Sequence, residues 1–236
     1  MANDLVAAID AAIAEARGRD LPLGARLQFM ADTVRGLSSV FAEAVDTFVA
    51  RLDGAGAGAE APKTGDVMPD FMLPDQTGRM VTLEELLANG PAVVTFHRGH
   101  WCPFCRLTLA GLAEIEAEVA PRAMVAISPE RQQFARVLRA EAGAGFPFLS
   151  DVGSGYALSL GLAIWVDDTM SGLIAQAGWT VPEFQGTDGW IMPIPAVFVV
   201  GQDGRIIARH VNADYRKRME LDAILGVLKQ VADQPL

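Results

Sequence analysis

The sequence predicts an α/β fold preceded by a helical extension. Three observations carry that prediction: apolar residues at helical spacing through residues 3–52, a Gly- and Ala-rich break after them, and short apolar runs alternating with helical segments from Lys63 onward. In the extension, Leu5, Ile9, Ala12 and Ile13, and later Leu27, Met30, Val34, Leu37, Phe41, Val45, Phe48 and Leu52, recur at steps of three and four. Asp20-Leu21-Pro22-Leu23-Gly24 interrupts the pattern, so two helices are expected, the second starting after Pro22. Residues 54–62, from Gly54 to Pro62, hold too many small residues for a regular element and are read as a linker. The chain thus divides into an extension at 1–53, the linker at 54–62 and a second domain at 63–236. The extension has ordinary amphipathic spacing and is read as a packing appendage or a homodimer contact.

Within the second domain the clearest strands are Ala92 to His97, Ala123 to Ser128, Ala196 to Val200 and Ile206 to His210. Gln202-Asp203-Gly204-Arg205 supplies a turn that makes the last two an antiparallel hairpin, in a sheet otherwise expected to be mostly parallel. Helices are expected to begin near Cys102, after Pro129, near Ser154 and near Lys217, the last running to about Ala232. Gly161 to Ile194 shows no clean period and is read as a long, partly ordered insertion.

Composition excludes several functions. A hydrophobic content of 51% in 236 residues is ample for a packed core. A net charge of −10 argues against nucleic acid as a partner, because phosphate binding needs clustered Lys and Arg. No apolar run has transmembrane length, and Met1-Ala2-Asn3-Asp4-Leu5 lacks the basic and apolar regions of a secretory signal, so a cytoplasmic location is expected. Asp10, Glu15, Asp32, Glu43 and Asp46 deny the extension the basic face that a membrane partner would need.

The chemistry concentrates in His97-Arg98-Gly99-His100-Trp101-Cys102-Pro103-Phe104-Cys105, which holds the only two cysteines, three apart at an expected helix start. Thiols so placed can close into a disulfide and share the field of the helix N-terminus. In a chain with so few cysteines they read as a redox pair, not as a scaffold. Their reactive form is the thiolate, and Arg98, Arg106 or protonated His100 are the cations that could lower its pKa. His97 and His100 would complete a Cys2His2 set, but the spacing matches no finger pattern and no metal is expected. No flavin, nicotinamide or haem motif is visible, so no cofactor is expected. Trp101 is expected to border the substrate path, while Trp165, Trp179 and Trp190 are read as core or pocket walls. His210 is read as a satisfied structural histidine, and Asp70, Asp75, Asp167 and Asp168 as caps, turns or solvent-facing groups.

A strand, a sharp turn and Cys-x-x-Cys at a helix start, followed by Ile194-Pro195 before another strand, resembles the thioredoxin fold over about Lys63 to Val231. That resemblance implies a central mixed sheet flanked by helices, with Pro195 cis and facing the thiols. Gly65-Asp66-Val67-Met68-Pro69-Asp70-Phe71, Val81-Thr82-Leu83, Ile127-Ser128-Pro129-Glu130 and Phe146-Pro147-Phe148-Leu149-Ser150-Asp151 further resemble the alkyl hydroperoxide reductase and thiol-specific antioxidant (AhpC/TSA) family of peroxiredoxins. That family carries Pro-x-x-x-Thr-x-x-Cys. Laid on this sequence its nucleophile falls on Cys105, with Cys102 at the threonine position and Arg98 at the proline position.

The resemblance implies a peroxidase for hydrogen peroxide or organic hydroperoxides. Cys105 becomes a sulfenic acid, Cys102 condenses with it into a Cys102–Cys105 disulfide, and a thioredoxin-type dithiol reduces the pair. Arg98 would substitute for the arginine that the family places near the later proline. Trp101-Cys102-Pro103-Phe104-Cys105 also resembles the Trp-Cys-x-x-Cys of dithiol reductases, which leaves a general thiol–disulfide oxidoreductase with Cys102 as nucleophile as an alternative. A non-enzymatic redox sensor is the third reading.

Overall fold

In a computed structural model, residues 2–232 are described, so residue 1 and residues 233–236, at the outer ends of the expected segments, lie outside it. The N-terminal segment folds into three helices, α1 (Ala2–Arg17), α2 (Leu23–Leu37) and α3 (Ser39–Gly54), where the spacing predicted two. Apolar periodicity runs unbroken through the second junction. The break comes from Ser38, whose extended backbone and side-chain oxygen, accepting from the Phe41 N–H at 3.1 Å, form an N-cap. Residues 55–60 make consecutive turns, and Ala61 is buried beneath them.

Next come β1 (Met72–Pro74), β2 (Met80–Thr82), α4 (Leu83–Leu87), β3 (Ala92–Phe96), α5 (Pro103–Glu114), α6 (Glu116–Val119) and β4 (Ala123–Ser128). They are followed by α7 (Gln132–Ala142), β5 (Phe148–Ser150), α8 (Gly155–Ser159), β6 (Ala163–Trp165), α9 (Asp168–Gln176) and α10 (Val181–Gln185). The chain closes with β7 (Ile191–Pro193), β8 (Ala196–Val200), β9 (Ile206–Val211) and α11 (Leu221–Ala232).

The main sheet has five strands in the order β5-β4-β3-β8-β9. β3 pairs parallel with β4, and β4 with β5, whereas β3–β8 and β8–β9 are antiparallel. The sheet is therefore mixed, not mostly parallel, because β8 returns as the partner of β3 and then turns back as a hairpin. Continuous apolar strands such as Ala92–Phe96 follow from coverage of both faces. Val94, Phe96, Ile127 and Phe198 pack on one side with Leu83 and Leu86 of α4, while Val93, Ala126, Val197 and Val199 pack on the other with α5, α7 and α11.

A third apolar cluster lies outside the sheet. It joins Ile9 and Ile13 of α1, Leu27 and Met30 of α2, Phe48 of α3, Phe104 and Leu107 of α5, and Met170 and Ile174 of α9. Arg26 ties α2 to α5 through two hydrogen bonds to the Glu114 carboxylate at 2.7 and 2.9 Å, and its Nε–H donates to the Leu21 carbonyl at 2.9 Å. Replacing Arg26 with methionine is expected to lower unfolding stability by about 1–2 kcal/mol, read by denaturant titration, because charge-assisted bonds at a half-buried seam are lost.

Residues 161–194 are not a partly ordered insertion. β6 and β7 form an antiparallel ribbon, and α9 and α10 sit between them in the chain. Asp167 caps α9 by accepting from the Met170 N–H at 2.9 Å. The lack of a clean period has a physical cause: Val166, Met170 and Ile174 are buried against the N-terminal helices while Trp165 is 56% exposed, so burial follows the tertiary neighbours rather than a single face.

Candidate active site

β3 delivers the chain to the site. The His97 N–H donates to the Ile127 carbonyl at 3.0 Å, Gly99 turns the backbone at φ +139°, and Cys102 stands at the N-cap of α5 with Pro103 behind it. Proline is favoured there because its fixed φ suits the first helical position and its missing N–H would have had no partner. Cys105 then falls in the first turn of α5, where unpaired N–H groups and the helix dipole favour a negative charge. Only glycine fits at position 99: a Cβ would collide with the Glu130 carboxylate and lie 2.8 Å from Trp101 Nε1. Gly99→Ala is expected to cost about 2–4 kcal/mol of stability, measurable by thermal unfolding, from the clash and the positive φ together.

Both cysteines are free thiols and each is 1% exposed. Arg98 and Trp101, two other expected site residues, are buried beside them. The Arg98 backbone N–H donates to Cys105 Sγ at 3.4 Å, and its Nε–H donates to Met192 Sδ at 3.1 Å. Its guanidinium lies 3.9 Å above the Tyr215 ring and 4.8 Å from the Trp101 ring centroid. Arg218, which sequence reasoning did not single out, brings its guanidinium 3.8 Å from Cys105 Sγ and donates to the Lys217 carbonyl at 2.8 Å and to the Tyr215 carbonyl. Neither arginine has a carboxylate ion-pair partner among the described residues. A buried cation without a carboxylate needs another anion, and Cys105 is placed to be it.

The two thiols are driven apart electrostatically. Burial raises the Cys105 pKa, but the hydrogen bond from Cys102, the charges of Arg218 and Arg98 and the Arg98 N–H together lower it to about 5. Burial raises Cys102 well above the ordinary thiol range, and its hydrogen bond to Cys105 adds to the rise. The arrangement is a thiolate at Cys105 with a neutral thiol donating to it.

The other cations expected to help are engaged elsewhere. Arg106 binds Glu141 at 2.6 Å and Asp10 at 2.7 Å. His100 faces Glu130, not the thiols: its backbone N–H donates to one carboxylate oxygen at 2.8 Å, and its Nδ1 lies 2.6 Å from the other. Its ring stacks on Phe134 with centroids 4.8 Å apart and meets Phe184 edge-on at 4.7 Å. Glu130 is fully buried, and that burial raises its pKa against the lowering effect of the His100 contacts. His97 packs its ring 5.8 Å from Phe148, and burial lowers its pKa to about 3. No group of three or more potential ligands that could hold a metal occurs among the described residues.

Pro195 is buried at the start of β8, but the Ile194–Pro195 bond is trans, contrary to expectation, and the cis bond among the described residues is Ala120–Pro121. The Ile194 N–H donates to the Leu162 carbonyl at 2.7 Å, so the chain runs extended from β7 into β8. From this segment it is Met192 that touches Arg98. Asp75 closes a turn by accepting from the Thr77 and Arg79 N–H groups, as expected of a turn residue. His210 is not fully satisfied, since its Nε2 is buried without a partner.

A cavity of about 270 Å³ opens beside Cys102. Arg98 and Trp101 share its floor with Cys102, and Ile9, Phe41, Leu173 and Trp179 are among its walls. Trp179, read from the sequence as a core or pocket wall, is a wall of this cavity and lies 6.1 Å from Trp101 between ring centroids. Phe104 and Tyr215 separate this space from a second, more polar cavity of about 610 Å³ that Arg218 borders.

Comparisons with known proteins agree with one another. The model of the AhpC/TSA family matches residues 64–209. A Mycobacterium tuberculosis protein provisionally named a peroxiredoxin is 29% identical over 176 residues, covering 72% of this chain and 97% of its own. Among solved structures, the peroxidoxin BcpB from Mycobacterium tuberculosis superposes with a TM-score of 0.56 at 24% identity, over 72% of this chain and 98% of that one. A reduced peroxiredoxin from Vibrio vulnificus in complex with hydrogen peroxide gives 0.54 at 17% identity, over 70% and 98%. At these identities the structural likenesses speak for the fold, which is thioredoxin-like.

Proposed function

The chain belongs to the AhpC/TSA family and is an oxidoreductase of the peroxiredoxin type, and on that premise we propose that it reduces peroxides through Cys105, with Cys102 resolving the product and a thioredoxin-type dithiol closing the cycle. The observation that carries this reading is the environment of Cys105: a buried sulfur facing Arg98 and Arg218, neither held by a carboxylate among the described residues, with a thiol donating to it.

The Cys105 thiolate attacks the outer oxygen of ROOH. The O–O bond breaks, Cys105 becomes the sulfenic acid, and the departing RO⁻ takes a proton from solvent to leave as ROH. Arg98 and Arg218 stabilise the negative charge that moves from sulfur to the leaving oxygen. Cys102 then attacks the Cys105 sulfur and gives up its proton, the S–O bond breaks, and hydroxide leaves with that proton as water. An external dithiol reduces the disulfide and becomes a disulfide itself. The peroxide held by the Vibrio vulnificus relative supports the substrate class. A cytoplasmic location, where such dithiols are kept reduced, belongs to the same reading, and no helix among the described residues is long and apolar enough to cross a membrane.

The test is where oxygen lands. In Cys102→Ser protein exposed to peroxide, a sulfenic acid trapped on Cys105 and read by mass spectrometry is expected; its absence, with peroxide still consumed by the wild type, sinks the assignment. In the wild type the rate constant should be flat above about pH 6 and fall about tenfold per unit below the Cys105 pKa of about 5, since only the thiolate reacts. One observation favours the alternative in which Cys102 attacks first: of the two thiols, it is Cys102 that lines the cavity.

A further inference from the structure

We propose that the second, more polar cavity is an anion site for a small organic molecule carrying a phosphate or carboxylate group on an apolar body, and that Arg218 links its occupancy to the charge on Cys105. The inference goes beyond the peroxidase reading above: it needs a charged sulfur at Cys105, not a peroxide.

The charges on this wall do not cancel. Among the described residues, four cations line the cavity, Arg35, Arg216, Lys217 and Arg218, against three acids, Asp32, Asp46 and Asp214. Arg35 and Arg216 are spent on those acids: both bind Asp46, at 2.7 and 2.6 Å, and Arg216 also binds Asp214 at 2.7 Å. Asp32 is exposed and accepts from the Gln28 amide at 2.9 Å. Lys217 and Arg218, adjacent in the chain, have no carboxylate partner among the described residues. In a chain of net charge −10, two uncompensated cations on a concave wall single out that wall as the place an anion would settle.

Arg218 faces both ways. On its inner side Nη2 lies 3.8 Å from Cys105 Sγ, while Nη1 donates to the Tyr215 and Lys217 carbonyls. Those contacts leave Nε–H and one Nη2–H for a ligand oxygen. His210 lines the same cavity, with Nε2 buried and without a partner. Burial lowers its pKa, and the Arg218 charge adds to that against the raising effect of a hydrogen bond with the Lys217 backbone. An anion at Arg218 offsets the opposing charge, so Nε2 can take a proton from solvent and donate to the ligand. Beyond these groups lie Leu27, Val45, Phe104 and Tyr215. The volume of about 610 Å³ falls within the range of ~300–1,000 Å³ usual for small-molecule sites, which leaves room for a ring behind the anionic head.

A Cys105 thiolate and a bound anion draw on the same guanidinium. Loss of the sulfur charge frees Arg218 for the ligand, and by reciprocity a bound ligand disfavours the thiolate. Protein with a Cys102–Cys105 disulfide would therefore hold the anion more tightly than the reduced form.

The experiment is calorimetric titration of full-length protein at neutral pH with phenyl phosphate and with phenylacetate, benzyl alcohol serving as the uncharged control. It is run on reduced wild type and on Cys105→Ser, the latter with and without Lys217→Ala; Lys217 is exposed, so its truncation leaves packing intact. Cys105→Ser is expected to bind at least one of the anions with a Kd of about 1 mM or tighter and benzyl alcohol about tenfold more weakly or worse. Reduced wild type should bind that anion about fivefold or more weakly than Cys105→Ser, and Lys217→Ala should cost about fivefold. Which anion binds better tells a phosphorylated ligand from a carboxylic acid. If Cys105→Ser does not fold, wild type oxidised with diamide takes its place. No binding of either anion overturns the site. Affinity equal with and without the Cys105 charge, or indifferent to Lys217→Ala, overturns the inference as well. The peroxidase reading is untouched by these results, since it stands or falls on the sulfenic acid at Cys105.

Discussion

Cys105→Ser is expected to lower the rate constant for peroxide by on the order of 10⁴-fold or more, because a serine hydroxyl stays protonated where the Cys105 thiol is ionised at a pKa of about 5. Cys102→Ser should behave differently. The first turnover survives, since serine can still donate a hydrogen bond to Cys105, but without a second thiol no disulfide forms and multiple turnover with a dithiol donor stops. Stopped-flow rates for the first turnover and steady-state rates with thioredoxin separate the two. The reverse pattern, with Cys102→Ser losing the first turnover and Cys105→Ser retaining it, would hand the attack to the thiol that lines the cavity and favour thiol–disulfide exchange of the thioredoxin type.

Arg98→Met should reduce the peroxide rate constant by about 10²–10³-fold, the usual loss when a buried group aimed at developing charge is removed. The same change should move the acid limb of the pH–rate profile upward. Arg98 is one of the charges that lower Cys105; without it the thiolate forms only at higher pH, so at any pH on that limb less of the protein is reactive. Stability supplies the control. Arg98 is 4% exposed and has no carboxylate partner among the described residues, so an apolar side chain of similar length should leave unfolding stability equal or higher. An activity loss with unchanged stability marks a role in the chemistry. Loss of both would mean that Arg98 serves packing, through its stacking on Tyr215 and Trp101, and the electrostatic role would be abandoned.

Much of this architecture was legible because the deciding forces are local. Ala92–Phe96, Ala123–Ser128 and Ala196–Val200 read as strands from composition alone, since a sheet covered on both faces requires apolar residues at every position. Cys102, Pro103 and Cys105 lie within one helical turn, so their proximity and the helix start were set by residues three apart. The Asp203-Gly204 turn and the cap at Asp167 likewise depend on neighbours within a few positions.

What escaped the sequence was whatever depends on distant partners. Arg218 reaches Cys105 from 113 positions away, at the turn that follows β9, and no spacing rule connects them. His100 looked like a cation for the thiols until Glu130, at the end of another strand, drew its ring away. The α9–α10 segment looked irregular because its burial is set by helices at the other end of the chain. Local spacing determined that this chain carries a thiol pair at a helix start, because short-range sterics and hydrogen bonding suffice for that. Tertiary structure alone decided which thiol is ionised and what surrounds it, because electrostatic and apolar contacts act through space and join residues that the chain itself keeps far apart.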